Sequence, residues 1–92
     1  MSLKQVNDYN LFQGLFAGYL LSDQETKSND TDIRYYLYIN KFGEWYIMKE
    51  DLSPTGGTDP KSWRFIKGDS DYATNWTARE ALTYAYPNVA FK

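Results

Sequence analysis

The chain has 92 residues, a net charge of −2 and 18% aromatic residues, with neither histidine nor cysteine. That length bounds it to one domain with a small core. The missing residue types exclude Ser–His and Cys–His nucleophiles, disulfides, and imidazole or thiolate metal sites, and ten Lys and Arg scattered among twelve acids form no basic patch for nucleic acid.

Residues 1–10 are polar and read as a flexible arm. Residues 11–21, LFQGLFAGYLL, fit a helical stripe, but Gly14 and Gly18 would cost that helix about 2 kcal/mol relative to alanine. A strand is preferred. A helix there would make the fold α+β. The run is too short and too broken to cross a bilayer, and nothing before it reads as a secretion signal. Residues 22–32, SDQETKSNDTD, predict a mobile polar loop. Their acids lack the glycine and terminal glutamate of a calcium loop.

Residues 33–51, IRYYLYINKFGEWYIMKED, carry the clearest signal. Two arms dense in Ile, Tyr and Trp flank Asn40-Lys41-Phe42-Gly43, which suits a type I turn closed by a glycine bulge. The resulting register pairs Ile39 with Trp45 and Leu37 with Ile47 on one face. On the other face it pairs Tyr38 with Tyr46, Tyr36 with Met48 and Arg34 with Glu50. A slip by one residue would invert both faces.

Residues 52–61 hold Ser-Pro, Gly-Gly and Asp-Pro and read as a connection. Residues 62–67, SWRFIK, predict a third strand, with Trp63 and Phe65 facing one way and Arg64 and Ile66 the other. Residues 68–71 form a turn, and 72–76 a short strand or irregular segment. Thr77 and Glu80 have capping-box spacing, so 77–85 predicts a helix, with strand-like alternation of Leu82, Tyr84 and Tyr86 as the competing pattern. Residues 89–91 close as an edge strand. The expected fold is mainly β, a meander, small barrel or sandwich of five or six strands with one short C-terminal helix.

Both hairpin faces are apolar or aromatic, so the face with Tyr36, Tyr38, Tyr46 and Met48 needs a cover. In so short a chain a partner protein or a second copy is the natural one. Trp45, Trp63 and Trp76 offer an alternative sugar-stacking platform, although Trp45 and Trp63 fit the core face. Asp69 and Asp71 are the best acidic pair, but alternating acids in a turn seldom span a catalytic cleft; they read as a cap that satisfies backbone donors. Arg79 is expected to pair with one of them. No residue set calls for a cofactor or metal.

The order of these motifs resembles a group of small bacteriophage proteins associated with tail or other virion genes. The resemblance is carried by Tyr35-Tyr36, Tyr38, Gly43, Trp45-Tyr46-Ile47, Arg64-Phe65, Lys67-Gly68, Asp71-Tyr72-Ala73-Thr74-Asn75-Trp76-Thr77, Arg79, Leu82-Thr83-Tyr84 and Phe91. It implies a non-enzymatic structural or adaptor protein of the virion or host cytoplasm, acting through protein contacts and self-association. The alternative is a glycan-binding module. No catalytic residue carries over.

Overall fold

The computed structural model describes residues 16–52 and 61–92. The expected arm at 1–10, the first part of the 11–21 stretch and most of the 52–61 connection lie outside them. One antiparallel sheet runs in chain order through β1 (Leu20–Lys27), β2 (Asp30–Ile39), β3 (Trp45–Asp51) and β4 (Ser62–Gly68). The chain is therefore mainly β. The described residues hold four strands rather than five or six, and β1 does not pair with β4, so the sheet is open rather than a barrel.

The hairpin of β2 and β3 has the register its side chains require. Leu37 lies opposite Ile47, Ile39 opposite Trp45, Tyr38 opposite Tyr46, Tyr36 opposite Met48 and Arg34 opposite Glu50. Gly43 adopts φ +82°, the left-handed conformation that the glycine bulge demands. The Asn40 side chain braces the turn, its Oδ1 accepting from the amides of Phe42 at 2.9 Å and Glu44 at 3.0 Å.

Residues 22–32 are not a loop. They form most of β1, a tight turn at Ser28 and Asn29, and the start of β2. The strand escapes hydrophobic pattern reading because it lies at the sheet edge with Ser22, Asp23, Gln24 and Glu25 all exposed. Its pairing with β2 is made by the backbone, and a register shift after Leu21 interrupts the alternation. Charged side chains on such an edge also discourage pairing with another chain. Of the described part of the 11–21 stretch, Leu20 and Leu21 are strand, while residues 16–19 form a turn with Gly18 at φ +88°.

The C-terminal third departs further from expectation. A short helix, α1 (Tyr72–Thr77), occupies the segment read as strand or irregular, and a 3-10 turn follows at Arg79–Ala81. The Thr77–Glu80 capping box does not form. Thr77 Oγ1 donates back to the Ala73 carbonyl at 3.0 Å, so Thr77 lies inside a helix rather than starting one. The Glu80 carboxylate is taken by Ser28, whose amide and Oγ donate to it at 3.2 and 3.0 Å. Leu82 is extended, and the chain reaches Ala85, which exchanges two 2.8 Å backbone hydrogen bonds with Phe65 at the outer edge of β4. Pro87 starts the last helix, α2 (Pro87–Ala90), so residues 89–91 form no strand.

Because the chain crosses that edge at Ala85, its two sides cover opposite faces of the sheet. Before the crossing, Trp76, Leu82 and Tyr84 pack on Ile33, Tyr35, Leu37, Trp45 and Ile47. After it, Ala90 and Phe91, with Tyr19 and Leu21 from the start of the described chain, pack on Tyr36, Tyr38, Tyr46 and Phe65.

Gly68 lies opposite Trp45, and a Cβ there would sit 2.6 Å from the indole Cε2. The ring cannot swing clear, because its Nε1 donates to the Ser70 carbonyl at 2.7 Å. Gly68→Ala is expected to lower stability by about 1–3 kcal/mol. Urea unfolding followed by tryptophan fluorescence checks this, and an unchanged midpoint would contradict the packing.

Candidate functional site

The tyrosine face proposed as a docking surface is internal. Tyr36, Tyr38 and Tyr46 are 4%, 1% and 1% exposed, and Met48 is half-buried beside them. Tyr38 stacks on Tyr46 with centroids 4.8 Å apart and planes 16° off parallel, a geometry that adds roughly 0.5–1.5 kcal/mol beyond area burial. The expectation of a partner-covered face is thus corrected: the chain covers this face itself. Tyr36 donates its hydroxyl to Glu50 Oε1 at 2.8 Å, and Trp63 Nε1 donates to Oε2 of the same carboxylate at 3.0 Å.

The three tryptophans do not form a platform. Trp45 is 3% exposed on one face of the sheet, and Trp63 is 41% exposed on the other, aligned with Glu50. Trp63 therefore does not share the core face with Trp45. Trp76 is half-buried against the Trp45 side, with the Arg79 guanidinium 4.6 Å from its ring centroid. Arg79 does not pair with Asp69 or Asp71. It donates to the Trp76 carbonyl at 3.0 Å, and its own carbonyl accepts from the Tyr84 hydroxyl at 2.8 Å.

Asp69 and Asp71 are exposed turn residues. Asp71 is left-handed at φ 57° and makes no side-chain cap. Its carbonyl, not its carboxylate, serves the helix, accepting from the Asn75 amide at 3.0 Å and from Asn75 Nδ2 at 2.9 Å.

What the fold assembles instead is an open groove of about 580 Å³ at the end of the sheet where β3 begins and β4 ends. Four separate stretches line it: Phe16 and Tyr19 from the turn before β1, Glu44 to Tyr46 entering β3, Lys67 to Asp69 leaving β4, and Phe91 after α2. Tyr46 is the centre of the aromatic wall. The Phe16, Tyr19 and Phe91 centroids lie 5.8, 5.3 and 5.3 Å from it. At the rim, Glu44 is oriented by Asn40 Nδ2, which donates to its Oε1 at 2.7 Å. Asp69, just beyond the end of β4, also lines the groove. Sequence reasoning overlooked this site because its residues are dispersed along the chain. The available signal was the glycine at 68, which a meander register aligns with Trp45.

Volume and lining suit a small ligand or a few side chains of a larger one, since binding sites run roughly 300–1,000 Å³ and combine apolar walls with a few polar groups. Among the described residues, no cluster of three or more acids, histidines or cysteines is arranged to hold a metal ion, and no helix is long and apolar enough to cross a membrane. Comparison with protein-family models, curated proteins and solved structures finds no match to this chain.

Burial shifts the tyrosines in one direction. Tyr19, Tyr35, Tyr36, Tyr38 and Tyr84 are all held above the ordinary tyrosine value, with desolvation the leading cause in each. For Tyr19 the Glu44 carboxylate adds to it, and for Tyr36 the bond to Glu50 does. An unfolded tyrosine ionises near about pH 10. The stability these neutral phenols contribute is complete below that point and is lost as pH rises through their higher folded values. Tyrosinate absorbance is therefore expected to rise in two phases, the second coinciding with loss of the circular dichroism signal. A single phase complete by about pH 11 with the fold intact would contradict the burial.

Proposed function

We propose that this chain is a non-catalytic docking protein, of the phage structural or adaptor type, that works through protein–protein contacts and self-association. The supporting observation is the groove, where an aromatic wall ends in open space beside two carboxylates and a lysine. Its contact surface is accordingly the rim of Phe16, Tyr19, Glu44, Asp69 and Phe91 rather than the buried tyrosine face. Phe16, Leu20, Phe42, Tyr86 and Val89 are also between 41% and 73% exposed, leaving apolar surface that association would remove from water. The virion setting, or the host cytoplasm, rests on the sequence resemblance alone, and so does the phage label.

A chain without histidine or cysteine lacks the usual bases and nucleophiles, which favours binding over catalysis. Glycan binding is the second reading. Aromatic rings beside carboxylates also suit a sugar, whose C–H face stacks while its hydroxyls donate. That reading now rests on the groove and not on Trp45, Trp63 and Trp76.

Light scattering across a concentration series tests self-association. The expected result is a mass above the monomer that returns to the monomer in Phe16→Ala, with cooperative unfolding retained. A wild-type chain that stays monomeric at the highest concentration would overturn the self-association half of the reading.

A further inference from the structure

We infer that Lys49 and Arg64 together bind a carboxylate, the side chain of a glutamate or aspartate presented by a partner protein. The inference rests on the docking reading and places a second contact on the sheet face turned away from the Tyr38–Tyr46 stack. The first reason is an unrelieved repulsion. Lys49 of β3 lies directly opposite Tyr35 of β2 on one side and Arg64 of β4 on the other. Like charges directly opposite one another across a ladder destabilise it. Both side chains are half-buried, and among the described residues neither makes an ion pair. Two acids act on Tyr35 on this side, Glu80 and Asp51. Glu80 is held by Ser28, and Asp51 is engaged by groups other than these two cations. A carboxylate set between Lys49 and Arg64 would turn the repulsion into two attractions.

The second reason is that both cations are held in place without using up their donors. Lys49 Nζ lies 5.9 Å from the Tyr84 ring centroid, and the Arg64 guanidinium 3.9 Å from that of Tyr86. Tyr84 is itself fixed, its hydroxyl donating to the Arg79 carbonyl and its ring packing 5.7 Å from Tyr35. Arg64 Nη1 donates to the Trp63 carbonyl at 2.9 Å. A ring takes one face of a guanidinium and leaves the in-plane N–H groups as donors. Those donors match the two oxygens of a carboxylate, and the ammonium opposite supplies a second charge. Cations already ordered by rings lower the cost of binding.

The kind of anion follows from the charge of the whole chain. A net charge of −2 opposes a polyanion, and two cations are too few to track a phosphate backbone. A carboxylate is the anion that an unmodified protein presents. Arg79, joined to the same side through Tyr84, also has no acid partner, and its buried Nε has no hydrogen-bond partner. It adds a third positive charge to this side.

The test is a heteronuclear NMR titration of the full chain with three probes: an acetylated, amidated Gly-Glu-Gly-Glu-Gly peptide, the same peptide with glutamine for glutamate, and hexathymidylate. The glutamate peptide is expected to shift the amides of Lys49 and Arg64 and the Arg64 Nε–H. Binding should weaken about tenfold or more with glutamine, as with loss of a charged hydrogen-bond partner, and weaken again with added salt. Lys49→Glu and Lys49→Gln should both abolish the response. Lys49→Glu should also melt about 2–5 °C above Lys49→Gln, because it sets a carboxylate opposite Arg64. Equal binding of the glutamine peptide overturns the carboxylate while leaving the docking reading intact. Shifts at Lys49 and Arg64 with hexathymidylate alone overturn the docking reading in favour of nucleic acid. Lys49→Glu melting at or below Lys49→Gln removes the repulsion on which the site rests, and no response at these residues to any probe overturns the inference.

Discussion

The contact between Tyr38 and Tyr46, stacked across β2 and β3, holds the register on which everything else depends. With those rings paired, Leu37 meets Ile47 on the reverse side and both faces of the sheet become hydrophobic. A sheet apolar on both sides must be covered twice, and a chain of this length has little material for the purpose. Exposed, either face would bring an association liability that a small soluble domain rarely tolerates.

The solution is a single crossing. The segment after β4 lays Trp76, Leu82 and Tyr84 over one face, passes the outer edge of β4 through the Ala85 bridge, and lays Ala90 and Phe91 over the other. Polar side chains hold this wrap in place. Glu80 is bound by Ser28 at the β1–β2 turn, and the Tyr84 hydroxyl is tied to the Arg79 carbonyl. Glu50 plays a similar part at the far end of the tyrosine face, where Tyr36 and Trp63 share its two oxygens. The carboxylates of this acidic chain that are so engaged stabilise the fold. Glu44 and Asp69 sit instead at the rim of the groove.

The groove follows from where the cover stops. At the start of β3 the sheet is finished by Trp45 against Gly68, a ring lying over a residue with no side chain, and the aromatic layer beyond it is shared among residues distant in the chain. Preformed walls lower the ordering cost of binding. The rings that line the groove are held by core packing, and the Glu44 carboxylate at its rim is oriented by Asn40.

How much of this was legible depends on where each element's signal resides. The β2–β3 hairpin declared itself because its turn chemistry and cross-strand pairs agree at every position from Arg34 to Glu50, and β4 because Phe65 and Ile66 alternate between buried environments. β1 was hidden, since an edge strand is held by backbone hydrogen bonds and leaves no apolar pattern in Ser22 to Glu25. The Thr77–Glu80 motif misled because Ser28, far away in the chain, claims the glutamate.

The amino-acid order alone therefore determined the central register, the turn at Asn40 to Gly43 and the need for cover on two sides, all of which arise between neighbours in a hairpin. The tertiary structure decided what provides the cover and where a site remains. Wrapping around the β4 edge, the burial of Tyr36, Tyr38 and Tyr46, and the meeting of Phe16, Glu44, Asp69 and Phe91 are contacts between distant segments, whose geometry no local propensity encodes.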